Sequence, residues 1–200
     1  MNPAPFRFGL VVLAAGASSR MGEPKQLLPV AGKPLLLRTV DAALESEAWP
    51  VVVVLGAQNA AIRPLLARHP VLVAENPAWA EGMASSLRAG IDVLRQFSRA
   101  LDAAVVTLCD QPNFSAETVS RLIARQRESG CSIVAARYND RNGAPALFLR
   151  EHFPTLSALT GEQGARTLLN GVDDGRIATV DLPELAVDLD TPEDYAPFRP

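Results

Sequence analysis

Apolar runs alternate with amphipathic ones along the chain. Residues 9–15 and 51–55 are unbroken apolar runs of strand length, the second being four valines and a leucine. That pattern belongs to parallel strands covered on both faces. Residues 71–74, 103–109 and 132–136 repeat it, and 145–149 predict a further strand or an edge segment. Two late short strands are expected at 177–180 and 186–189. Between these lie helical patterns. Residues 34–45 carry Pro34 near the first turn, where its missing N–H costs little. Residues 59–68 contain Pro64, which weakens or breaks that helix. Leu87, Ile91 and Leu94 recur at helical spacing within 83–97. Ser115 is placed to cap a helix over 115–128. Residues 164–169 predict a short helix, Thr191-Pro192-Glu193-Asp194 opens a last one, and the proline-rich 192–200 reads as a terminus packed on the surface. Strands alternating with helices imply an α/β sandwich with a mostly parallel sheet. Ligands bind such sheets outside the carboxyl ends of the strands, so the chemistry is expected just after strands.

Three polar constellations follow strands. The first is the long loop Leu13-Ala14-Ala15-Gly16-Ala17-Ser18-Ser19-Arg20-Met21-Gly22-Glu23-Pro24-Lys25. Its small residues let a ligand approach the backbone, and Gly16 is free to take a positive φ. Hydroxyls and two cations complete what describes a polyphosphate cradle. The chain has two lysines, Lys25 and Lys33, against seventeen arginines, and both fall in this loop and its exit. A compact point charge suits a phosphate oxygen. The second constellation, Cys109-Asp110-Gln111-Pro112, puts a carboxylate at the sheet edge, where Mg²⁺ would bridge it to phosphates. The third, Asp188-Leu189-Asp190-Thr191-Pro192-Glu193-Asp194, offers a second carboxylate, with Asp188 and Asp190 on one face if this stretch is a strand. A fourth stretch, Glu75 to Leu87, brings Gly82, Ser85 and Ser86 to a helix start, where a base or phosphate would find donors or where Ser85 caps the helix.

Composition narrows the field. At 200 residues and 48% hydrophobic content, one domain with a good core is expected over 1–200. A net charge of −3 gives no general basic footprint for nucleic acid or an anionic membrane. No apolar run has bilayer-spanning length, and Met1 to Phe8 lack signal-peptide features, so a cytoplasmic location is the default expectation. The two cysteines and two histidines lack metal-ligand spacing. There is no GxSxG, Walker P-loop or GxGxxG after the first strand.

The first motif, with Gln26 aside and Leu27-Leu28-Pro29 following, resembles the signature of the MobA-like nucleotidyltransferases, and most of all their molybdenum cofactor cytidylyltransferase branch. Glu75-Asn76-Pro77, Trp79, Gly82-Met83, Ser86, Cys109-Asp110-Gln111-Pro112, Gly164-Ala165-Arg166 and the acidic turn at 188–194 match further motifs of that family in the same order. The resemblance covers nearly the whole chain. It implies a three-layer α/β/α, Rossmann-like fold of the nucleotide-diphospho-sugar transferase type. It also implies Mg²⁺, and attack of an acceptor phosphate on the α-phosphate of an NTP with loss of pyrophosphate.

By family position, Arg20 and Lys25 hold the triphosphate and stabilise charge on the α-phosphate. The backbone of Leu13, Ala14, Ala15 and Gly16 meets base and phosphates, and Gly82 and Ser86 contact the base. Asp110 holds Mg²⁺, with Asp190 as second ligand. Guanylyl-transferring relatives tend to carry Leu-Ala-Gly-Gly where this chain has Leu13-Ala14-Ala15-Gly16, which favours CTP. The implied acceptor is the molybdopterin form of molybdenum cofactor, with a molybdoenzyme as client. The alternatives are another phosphorylated small molecule as acceptor, or an accessory protein that carries the cofactor without turnover. Two positions depart from the family, Ala144 in place of a histidine and Glu162 in place of an aspartate, and both are expected on the acceptor side.

Overall fold

The structure, a computed structural model, describes residues 5–162, 164–170, 175 and 177–199. A seven-stranded sheet forms its middle layer. The strands are β1 (Phe8–Ala14), β4 (Val51–Leu55), β5 (Leu72–Glu75), β6 (Ala103–Leu108), β7 (Ile133–Tyr138), β8 (Arg141–Leu149) and β9 (Ile177–Asp181). Their spatial order is β5-β4-β1-β6-β8-β7-β9. Two further short strands, β2 (Pro29–Val30) and β3 (Lys33–Pro34), pair as a separate hairpin. The sheet is parallel except for β8, which runs antiparallel to both β6 and β7. The helices are α1 (Leu35–Glu45), α2 (Asn59–Ile62), α3 (Met83–Phe97), α4 (Ala116–Ser129), α5 (Phe153–Ala158), α6 (Arg166–Leu169) and α7 (Pro192–Tyr195).

Because side chains alternate across a strand, β1 feeds two cores. Leu10, Val12 and Ala14 pack with Leu36 and Val40 of α1 and Val119 and Leu122 of α4. Val11 and Leu13 pack on the other face with Leu87, Ile91 and Leu94 of α3 and Phe153 and Leu156 of α5. Helices on both faces of the sheet make the expected three-layer α/β/α sandwich. A third cluster joins Met21, Leu28, Val30 and Leu35 to Leu189 and Tyr195, and Tyr195 Oη donates to the Pro29 carbonyl at 2.8 Å. It ties the long loop after β1 to the acidic turn before α7, segments more than 150 residues apart.

Four expectations are corrected. Residues 186–189 form no strand; a 3₁₀ turn, Pro183–Ala186, stands there, followed by extended chain outside the sheet. The segment at 145–149 is the expected strand and not an edge: β8 begins at Arg141 and lies inside the sheet. Pro145 is tolerated there because the β7–β8 register shifts from Ala135↔Ala146 to Ala136↔Gly143, which leaves Ala144 and Pro145 outside the ladder. The helix over 59–68 is only α2 followed by a 3₁₀ turn, Arg63–Leu66, with Pro64 at its start. The short helix at 164–169 begins at Arg166, and α5 has no counterpart in the sequence reading. The expected cap of α4 is present, Ser115 Oγ accepting from the Thr118 N–H, and at α7 Thr191 and Asp194 form a capping box. Of the surface tail, Pro200 lies outside the described residues.

Candidate active site

The sheet order reverses direction between β1 and β6. The chain proceeds from β1 to β4 and β5 on one side and returns to β6 on the other. Such a switch point opens a crevice at the carboxyl ends of the strands. A cavity of about 480 Å³ lies there, and it gathers Leu13, Ala14, Ala15, Gly16, Arg20, Lys25, Gly82, Ser86, Asp110 and Asp190. All ten residues singled out in the sequence are therefore brought to one wall-to-wall site. Lys33 is not among them; it pairs with Asp41 on α1, away from the cavity.

The polar centre is a chain of charges. Lys25 Nζ stands 2.7 Å from Asp110 Oδ2 and 2.8 Å from Asp190 Oδ1, and Arg20 reaches Asp190 Oδ2 at 2.8 Å. The Lys25 and Asp110 side chains are only 12% and 16% exposed, whereas that of Arg20 is 70% exposed. Burial alone would lower the Lys25 pKa, but the Asp110 carboxylate, with its hydrogen bond and that of Asp190, outweighs burial and holds the ammonium above its ordinary value. Burial also opposes ionisation of Asp190, yet Lys25 and Arg20 keep it below the usual carboxylate range. Asp188 goes the other way: burial, then the Asp110 and Asp190 charges, push it up to about 6. Burial pushes the Cys109 thiol up to about 12, so it is an inert core thiol.

The loop after β1 owes its shape to a residue the motif passes over. Gln26, 1% exposed, donates from Nε2 to the carbonyls of Ala14 (3.0 Å) and Gly16 (3.1 Å). The Lys25 N–H donates to Ser18 Oγ at 3.1 Å, and Ser18, not Gly16, takes the left-handed conformation along with Gly22. The freedom expected of Gly16 is thus unused. Across the cavity, Gly82 has φ +107°, and a Cβ there would stand 2.8 Å from both Glu162 Cα and the Gly161 carbonyl. Glycine here is a close-approach requirement. Ser85 is structural, donating to the Gly82 carbonyl at 2.8 Å, and Asn76 Nδ2 donates to both Ser85 and Ser86. Glu162 lines this cavity and Ala144 a neighbouring one, so the two family departures fall on different sides; Gln163 between Glu162 and Gly164 lies outside the described residues.

Asp188 and Asp190 face the cavity together although no strand holds them; a backbone hydrogen bond from Leu189 N to the Asp110 carbonyl at 2.9 Å does so instead. Asp110 Oδ1 and Asp188 Oδ1 are buried and without a hydrogen-bond partner. Hard divalent cations take such carboxylate oxygens, so the donor set fits one. No described helix is long and apolar enough to cross a membrane.

A Rossmann-like sheet whose switch-point cavity combines a small-residue loop, fixed cations and paired carboxylates is that of a nucleotidyltransferase. The chain belongs to the MobA-like NTP transferase domain family, whose model matches residues 10–179. It is 34% identical to nicotine blue oxidoreductase of Paenarthrobacter nicotinovorans, over 80% of this chain and 79% of that protein. It is 30% identical to the purine catabolism protein PucB of Bacillus subtilis, over 98% and 97%. Rv0371c of Mycobacterium tuberculosis superposes with a TM-score of 0.80 at 32% identity, covering 94% of this chain and 95% of that one. A manganese complex of Rv0371c superposes with a TM-score of 0.77 at 30% identity, over 96% and 97%.

Proposed function

We propose that this nucleotidyltransferase is a Mg²⁺-dependent cytidylyltransferase. It transfers CMP from CTP to the terminal phosphate of a molybdopterin-type molybdenum cofactor and releases pyrophosphate, as one domain over 1–200, with a molybdoenzyme as client. The observation that carries the reading is the Asp110–Lys25–Asp190–Arg20 charge chain at the switch point. A phosphoryl centre attacked in line needs positioning and charge neutralisation, with no covalent nucleophile. Arg20 and Lys25 supply the neutralisation. Arg20 is exposed enough to move onto the triphosphate. Lys25 is held charged and fixed, and it stabilises the charge that develops at the α-phosphate.

Asp110 and Asp190 would hold Mg²⁺, which would supply neutralisation of phosphate charge. Asp190 gives up an ion pair to do so, whereas Asp188 offers an unpartnered oxygen beside it. The backbone from Leu13 to Gly16, with Gly82 and Ser86 opposite, supports binding of base and phosphates. The methyl of Ala15 lines the cavity where guanylyl-transferring relatives tend to have glycine, and this supports CTP over a purine nucleotide.

A matrix of nucleoside triphosphates against phosphorylated acceptors, read by pyrophosphate release, tests the reading. CTP with the molybdenum cofactor is expected to exceed every other pairing at least tenfold. A clear preference for GTP or ATP overturns the base assignment, and turnover on a different acceptor overturns the cofactor assignment.

A further inference from the structure

The switch-point cavity has a charged part, built by Lys25, Asp110, Asp190 and Arg20, and a wall of small residues from Leu13 to Gly16. Neither offers a broad flat face. One lining residue does. Trp79 lines the same cavity next to Ala80 and Gly82. It opens a 3₁₀ turn, Trp79–Glu81, just before α3, and it stays 37% exposed although it is a large aromatic. Among the described residues no other ring and no guanidinium packs on its ring, and its indole N–H has no hydrogen-bond partner. The other tryptophan, Trp49, differs on both counts of place and packing. It stands edge-on to Phe97 at 6.0 Å, and its N–H donates to the Phe8 carbonyl at the start of β1, the opposite end of the strand from this cavity.

The backbone that carries Trp79 is fixed from two sides. Asn76 Oδ1 accepts from the Ala78 N–H at 3.0 Å, and Ser85 Oγ donates to the carbonyls of Ala78 (3.0 Å) and Gly82 (2.8 Å). Asn76 and Ser85 are both buried, so these bonds are sheltered from water. On the other side stands Gly56. A Cβ there would lie 2.7 Å from Trp79 Cβ and 2.8 Å from Ala15 Cβ. Gly56 therefore lets Trp79 and Ala15 close over it, and the indole springs from a point beside the residue that bears on the choice of base. An aromatic side chain has only two torsions to order, so a ring held at its root loses little freedom when a ligand lies on it.

We propose that Trp79 is the platform on which the nucleobase stacks, and that it supplies affinity for the nucleoside part of the nucleotide and none for the triphosphate. The inference rests on the nucleotidyltransferase reading of this cavity but not on the choice of CTP, because every base has a π-face and stacking tolerates them all. Selection among bases falls to Ala15 and its neighbours, and charge neutralisation to Arg20 and Lys25. Trp79 is thus a binding residue that a purely electrostatic account of the site leaves out.

The test is calorimetric binding to the full chain with Mg²⁺ and no acceptor. The probes are CTP, GTP and inorganic triphosphate. Trp79→Ala is expected to weaken the tighter-binding nucleotide about tenfold or more, while the affinity for inorganic triphosphate moves less than twofold, which also shows that the variant is folded. Trp79→Phe is expected to keep nucleotide affinity within about threefold of the parent, and Trp79→Leu, apolar but without a π-face, to behave like Trp79→Ala. A second readout uses the chain's two tryptophans. In a Trp49→Phe background Trp79 is the single indole, and nucleotide is expected to quench its emission more than inorganic triphosphate does. Nucleotide affinity that Trp79→Ala leaves within twofold, an equal loss for inorganic triphosphate, or full rescue by Trp79→Leu overturns the proposal. A parent chain that binds inorganic triphosphate and neither nucleotide overturns the nucleotidyltransferase reading along with it.

Discussion

Lys25 Nζ and Asp110 Oδ2 stand 2.7 Å apart across the mouth of the switch point, joining the loop after β1 to the end of β6. On the proposed reading, the cation that would neutralise a triphosphate pairs here with the carboxylate that would hold the metal. Nucleotide and metal together would then satisfy both partners, and either alone would leave one of them uncompensated. Replacing Lys25 removes the fixed charge without touching the two main cores. We expect Lys25→Ala to lower pyrophosphate release by about 100-fold or more, with the far-ultraviolet spectrum unchanged. A rate within threefold of the parent would remove Lys25 from the reaction.

Asp110 has one oxygen on Lys25 and one buried oxygen without a partner. Asp110→Asn is expected to weaken Mn²⁺ binding in the presence of nucleotide by about tenfold or more, measured by the electron paramagnetic resonance signal of free Mn²⁺. An unaltered affinity would place the metal elsewhere.

The raised pKa of Asp188, about 6 against an ordinary 3.8, fixes the sign of a pH effect. An acid whose folded pKa lies above its unfolded value costs stability once ionised. The cost is absent below the unfolded pKa, grows as pH rises between the two values, and is complete above the folded one. Asp188→Asn is therefore expected to melt higher than the parent at pH 7.5, by about 2–4 °C, with the difference vanishing near pH 4. Thermal melts of both proteins across that range check it, and a gain that is instead largest at low pH would refute it.

Gln26 is the pin of the loop. Gln26→Ala leaves the buried carbonyl of Ala14 and the half-buried one of Gly16 without their donor. The expected loss is about 1–3 kcal/mol of stability, with a rise in KM for the nucleotide, read by chemical denaturation and initial rates.

Gly82→Ala forces a methyl against Glu162 and Gly161 at a φ that side chains avoid. It is expected to cost about 1–3 kcal/mol and to raise KM for the nucleotide more than it lowers kcat, because the strain falls on the cavity wall. Steady-state kinetics with a parallel melt separate the two effects.

Local pattern determined much of this molecule. Four consecutive valines read as a covered strand, Leu87, Ile91 and Leu94 read as one face of a helix, and Ser115 caps α4 because its oxygen lies within reach of the Thr118 N–H. Hydrophobic periodicity and capping act over a few residues, so they are written in the chain itself. The loop from Leu13 to Lys25 and the carboxylates Asp110 and Asp190 were legible for the same reason: each stands directly after an apolar run or in a short acidic motif. What tertiary structure alone decided is non-local. The antiparallel setting of β8, and with it the place for Pro145, depends on pairing with β6 and β7 rather than on any preference of residues 141–149. Asp188 and Asp190 face the cavity because Leu189 binds the Asp110 carbonyl and packs with Met21 and Tyr195, not because strand alternation points them there. The hydrogen bond from Asn142 N to Asn170 Oδ1 and the burial that raises Asp188 have no signal in the sequence at all. They exist only when segments far apart in the chain are brought together and water is excluded between them.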